Sequence, residues 1–130
     1  MTISRVALLV LFALVVPVSA ADVTGNWKLN IDLRLNGVPE LLCTVTHKEQ
    51  RLEGTCKAAG EKAGVSLDDG MVNGDHVSWS WKVTTPDGNT WTYLFTGTLD
   101  ANGNTIKGLA RFSVGPGSKQ NEVSFTATKQ

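Results

Sequence analysis

From residue 24 onward, apolar side chains recur at every second residue, and short glycine-, asparagine- and aspartate-rich turns interrupt the pattern at close intervals. Trp27, Leu29, Ile31, Leu33 and Leu35 alternate with Lys28, Asn30, Asp32 and Arg34. Val77, Trp79, Trp81 and Val83 alternate with Ser78, Ser80 and Lys82. A period of two places one apolar face on a strand, whereas a helix would need a period near 3.6. The turns are Asn36-Gly37, Gly60 to Gly64, Asp68-Asp69-Gly70, Asn73-Gly74, Pro86-Asp87-Gly88-Asn89, Asn102-Gly103-Asn104 and Gly115-Pro116-Gly117. They delimit eight candidate strands at 24–35, 41–48, 51–58, 63–72, 76–85, 90–99, 105–114 and 121–129. The fourth is interrupted by Asp68-Asp69-Gly70. Short connections favour sequential antiparallel neighbours. The expected fold is therefore all-β: one eight-stranded antiparallel up-and-down meander barrel, which removes exposed edges by closing on itself. A β-sandwich is the alternative.

The first twenty residues follow another pattern. A single positive charge at Arg5 precedes the unbroken apolar run Val6 to Val16, and small residues follow Pro17. Eleven apolar residues make about 16 Å of helix, too short to cross a bilayer. This is the form of a secretory signal peptide, with cleavage expected after Ala20. Residues 21–130 would then form the barrel domain, secreted or periplasmic, with no membrane span after cleavage. The chain of 130 residues carries 12 basic and 12 acidic groups. Lys and Arg are scattered singly, which argues against a nucleic-acid partner.

The two cysteines fall in one hairpin. Folding about Glu49 and Gln50 sets Cys43 against Cys56, Val45 against Gly54 and His47 against Leu52, all on the apolar face. Opposed positions place Cβ atoms ~4.5–5.5 Å apart, near what a disulfide requires. There is no C-x-x-C and no histidine at metal-ligand spacing, so a structural disulfide is expected and no metal or organic cofactor. Nucleophile and phosphate-binding motifs are absent too. Asp68-Asp69-Gly70 lacks the alternating oxygens and final glutamate of a calcium loop. His47 reads as a satisfied inward residue. A non-enzymatic protein is expected.

What the sequence does hold is an inward face dense in aromatics. Pairing 77–83 with 91–99 sets Trp79 against Phe95 and Trp81 against Tyr93. The next hairpin sets Tyr93 against Phe112, Phe95 against Ala110 and Gly97 against Gly108. Trp27, Trp79, Trp81, Trp91, Tyr93, Phe95 and Phe112 are the candidate ligand-facing residues. Two readings follow: the rings fill the barrel, or Gly54, Gly97 and Gly108 leave a lumen for one small apolar or aromatic ligand. Leu94 and Leu109 are isolated apolar residues on the outward face.

The chain resembles small calycin-like secreted barrels, above all the avidin and streptavidin pattern. The matching pieces are Thr24-Gly25-Asn26-Trp27, Leu52-Glu53-Gly54-Thr55, Val77-Ser78-Trp79-Ser80-Trp81-Lys82, Phe95-Thr96-Gly97 and Phe125-Thr126. It is similar also to small secreted bacterial proteins that open with a G-x-W strand. The avidin resemblance implies the barrel and a lumen, with Trp81 and Phe95 matching ligand-contacting aromatics. It does not imply biotin, because Leu29 stands where that family has its ureido-binding asparagine. Likewise Gly108 to Phe112 carries no tryptophan, and Val123 replaces a polar residue. A second similarity is to periplasmic metalloprotease inhibitors, which are also disulfide-bonded barrels with an early G-x-W. That likeness implies a protein partner met by the freed segment Ala21-Asp22-Val23. A non-catalytic binding protein is the expected function; a protease inhibitor or envelope-interaction module with a packed core is the alternative.

Overall fold

The computed structural model describes residues 22–32, 40–58, 60–114 and 119–130. The expected signal peptide, the continuation of the first strand through Leu33 and Leu35, and the turns at Asn36-Gly37 and Gly115-Pro116-Gly117 lie outside them. Nine strands form: β1 (Gly25–Ile31), β2 (Glu40–Lys48), β3 (Arg51–Ala58), β4 (Val65–Ser66), β5 (Asp68–Asn73), β6 (His76–Thr84), β7 (Thr90–Leu99), β8 (Thr105–Val114) and β9 (Asn121–Lys129). All pairings are antiparallel. β1 pairs with both β2 and β9, and β2–β3 pairing completes the circuit, so the sheet closes as an eight-stave up-and-down barrel. The short β4 and β5 share the fourth stave.

The registers expected from alternation are the registers formed. Cys43 faces Cys56, Val45 faces Gly54 and His47 faces Leu52. Trp79 faces Phe95 and Trp81 faces Tyr93; Tyr93 faces Phe112, Phe95 faces Ala110 and Gly97 faces Gly108. The disulfide Cys43–Cys56 joins β2 to β3 across directly opposed residues. It agrees with folding in an oxidising compartment. Leu94 and Leu109 are exposed on the outer wall, as their phase requires.

The interior is filled rather than hollow over most of its length. Phe95 and Ala110 are fully buried, and Phe95 stacks on Trp79 at 5.0 Å while Phe125 meets both rings edge-on. Two inward glycines serve close packing and leave no void. A Cβ on Gly97 would lie 2.7 Å from Ile106 Cγ2 and 3.0 Å from Phe125 Cζ. One on Gly108 would collide with the carbonyl oxygen of Thr96. The small residues thus let neighbouring rings and strands approach. What remains inside is a void of about 20 Å³ bordered by Val23, Trp27, Leu52, Cys56 and Trp79. It has room for about one water, which an apolar lining would not hold.

The fourth stave is broken. β3 pairs in one register with β5 (Leu52 with Gly70) and, one residue displaced, with β4 (Thr55 with Ser66). The same one-residue shift appears against β6 between Asp68 and Met71. Asp69 sits at the shift with φ 51°, the left-handed conformation that a bulge demands and aspartate tolerates better than most residues. Asp68–Ser80 is the last β5–β6 pair, yet β6 runs on to Thr84.

Candidate binding cup at the open end of the barrel

The two ends of the barrel are built differently. At one end the chain entering β1 folds under the barrel, and Val23 is 1% exposed. Its carbonyl accepts from the Trp27 indole N–H at 2.8 Å, and its own N–H donates to His47 Nδ1 at 3.3 Å. The His47 backbone N–H donates to Thr24 Oγ1 at 2.9 Å. His47 Nε2 lies 2.6 Å from the carbonyl of Glu49, so Nε2 carries the proton and Nδ1 accepts. Its side chain is 6% exposed, with Asp22 Oδ1 3.8 Å away. Both ring nitrogens therefore hold backbone, which explains an inward histidine without chemistry. The Asp22 carboxyl is held below the usual aspartate range, first by the Thr24 backbone N–H, with His47 and Lys129 adding smaller contributions.

The opposite end holds a cup of about 220 Å³. Ile31 from β1, Leu41 from β2, and Val65 from β4 face Trp81, Val83 and Tyr93 across it; Cys56 and Ala63 add to its wall. Lys57 and Glu61 are exposed at its border, bringing one charge of each sign. The Trp81 and Tyr93 rings lie 6.0 Å apart. Tyr93 stacks on Phe112 at 5.7 Å, and Phe112 contacts Trp91 at 6.2 Å. These three rings are half-buried, and burial pushes the Tyr93 phenol above its ordinary pKa, so its hydroxyl stays protonated. The β6–β7 turn beside the cup is tied by Asp87, which accepts from the Thr85 hydroxyl and the Asn89 N–H. Those bonds, the Thr85 one first, lower the Asp87 pKa.

The seven aromatic residues singled out by sequence thus separate into two sets. Trp27, Trp79 and Phe95 belong to the packed core and have no space beside them for a guest. Tyr93 and Trp81 line the cup, Trp81 being 3% exposed and packed 4.5 Å from the core ring of Phe95, and Trp91 and Phe112 extend the aromatic surface behind Tyr93. Cys56 borders both the inner void and the cup, so the disulfide stands between the two. Ile31, Leu41, Val65 and Val83 were legible as inward positions of the alternation but had not stood out beside the rings. Ala63 and Glu61 come from the irregular β3–β4 connection, where no periodicity exists to find them.

A second depression, of about 690 Å³, lies over the bulge, between Gln50–Gly54 and Ser66–Met71. It mixes Arg51, Glu53, Asp68 and Asp69 with exposed Met71. Among the described residues no group of three or more histidine, cysteine or acidic side chains is placed to hold a metal ion. No helix among them is long and apolar enough to cross a membrane.

Comparison with family models, curated proteins and solved structures found no match. The likeness to avidins, calycins and protease inhibitors therefore rests on strand order and the short sequence pieces quoted above, and an eight-stranded barrel carries no function by itself.

Proposed function

We propose that this chain is a secreted or periplasmic, non-catalytic binding protein that receives a small apolar or aromatic group in the cup at its open end. The observation that carries the reading is the contrast between a filled barrel and an apolar cup walled by Trp81 and Tyr93. The cup is smaller than the roughly 300–1,000 Å³ that enclose a drug-sized ligand. It suits one ring or one branched aliphatic group, held by apolar contact and aromatic stacking. The engagement of both His47 nitrogens with backbone supports a non-catalytic role. Burial of Val23 weighs against the inhibitor alternative, because this residue of the segment that would enter a protease is packed under the barrel.

Titration with N-acetylphenylalaninamide and with short-chain alcohols tests this. The expected result is a change in tryptophan emission and a raised Tm, both lost in Trp81→Ala and kept in Trp27→Phe. No response to any aromatic or aliphatic probe, with the disulfide closed, would overturn the reading.

A further inference from the structure

The barrel wall is split beside the cup. β6 continues four residues beyond Ser80, the last of its residues paired with β5, and among the described residues Trp81–Thr84 pairs only with β7. Which backbone groups this leaves free follows from the hairpin. Thr85 N–H donates to the Asn89 carbonyl at 2.9 Å, and Gly88 N–H to the Thr85 carbonyl at 2.9 Å. Thr85 and Asn89 therefore form a closely bonded pair. Because antiparallel strands alternate bonded and non-bonded pairs, Val83 and Trp81 exchange bonds with β7. The N–H and C=O groups of Lys82 and Thr84 point the other way, toward the split. β4, bonded to β3, stands close across it, with Cα atoms within 8 Å of β6, so a strand entering between them must push β4 outward.

An unpaired strand edge is a template for another extended segment. A strand laid antiparallel on this edge would exchange both bonds with Lys82 and with Thr84. Opposed residues of an antiparallel pair share a face. The guest residues opposite Trp81 and Val83 would then point inward, into the cup, and the one opposite Lys82 outward. Lys82 is exposed and forms no ion pair among the described residues. It would be matched by an acidic residue there.

The geometry points to an extended peptide as the occupant: a strand added to β6, with an acidic residue at Lys82 and an apolar side chain in the cup against Trp81. This rests on the cup being a binding site, and it names what carries the bound group. The cup's size supports it, since about 220 Å³ admits one large side chain of a longer molecule. The wall supports it too, because only a polyamide offers donors and acceptors in the spacing that the β6 edge presents.

The test uses the full-length chain secreted with its disulfide closed, followed by tryptophan emission and calorimetry. The parent probe is the acetylated, amidated tetrapeptide Thr-Val-Glu-Phe, whose phenylalanine would face Trp81. It is compared with forms methylated on the glutamate nitrogen or on the valine nitrogen, and with N-acetylphenylalaninamide. Strand addition predicts that the parent binds more tightly than the single amide. Methylating the glutamate nitrogen should weaken it at least about tenfold, and methylating the valine nitrogen, which faces away from β6, should cost less. Lys82→Glu should weaken the parent a few-fold and favour the peptide with lysine in place of glutamate. Equal binding of both methylated forms and the parent, or binding of the single amide alone, overturns strand addition and leaves the cup. Failure of all four probes overturns both proposals.

Discussion

At the plugged end Trp27 is buried, its indole N–H is bonded to Val23, and Lys129 Nζ lies 5.9 Å from its ring centroid. At the open end Trp91, Tyr93 and Phe112 contact one another but stay partly exposed. The same residue types on the same inward face of the same sheet thus do two jobs. The difference lies in what covers them. Below, the chain itself supplies a valine and a backbone carbonyl. Above, the described residues supply no such plug, and the fourth stave parts from β6 beside Trp81. Aromatic content therefore locates neither core nor site in a small barrel; wall continuity does.

The largest expected effect breaks this comparison by truncation. Phe95→Ala should cost about 3–5 kcal/mol in urea unfolding, because the surrounding rings cannot close the gap. Trp91→Ala should cost less, about 1–2 kcal/mol, since part of its ring already faces solvent. Equal losses would show that the open end is packed as tightly as the plugged one. Next comes the disulfide between the two regions. Replacing both Cys43 and Cys56 with alanine should cost about 2–3 kcal/mol, judged by the same unfolding curves with and without reductant. It should also weaken any ligand of the cup, because Cys56 is part of its wall.

A sharper comparison sets two core tryptophans against each other. The Trp27 Nε1 proton has a partner, whereas Trp79 Nε1 is buried with none. Trp27→Phe strands the Val23 carbonyl; Trp79→Phe removes an unsatisfied donor. The first should be more destabilising by about 1 kcal/mol at similar lost volume.

How much of this was legible follows from where the information is local. Period-two alternation and two-residue turns determine register, so the Cys43–Cys56 and Trp79–Phe95 pairs could be read directly. Asp68-Asp69-Gly70 announced an interruption in the fourth strand. It did not say that the wall would part on the β6 side, because that depends on how far β6 outruns its neighbour. Inward glycines at 97 and 108 were equally compatible with a lumen or with close approach. The choice rests with Ile106 and Phe125, from the adjoining staves. The packing of Val23 was hidden for a different reason: it lies ahead of the first alternating residue and its partner His47 is 24 residues away.

The smallest expected effect is acid. Both Asp22 at the plugged end and Asp87 at the open end have lowered pKa values. What each contributes is therefore present above the ordinary aspartate range and fades as pH falls through the lower, folded-state value. Both carboxylates are exposed, so global stability should barely move. The Asn89 amide, tied to Asp87, should gain solvent exchange on acidification. The Thr24 amide, beside buried Val23, should gain less. Equal gains would show that the plug depends on Asp22 and not on burial.

The plug has one more consequence, for orientation. Gln130 N–H donates to the Asn26 carbonyl, and Lys129 Nζ reaches the Asp22 carbonyl. Asp22 and Gln130 thus lie side by side, beneath Val23. Anything joined after Gln130 starts from the plugged end, away from the cup. A reporter fused at residue 130 should leave the cup reachable; one inserted at 86–89 would stand in its doorway.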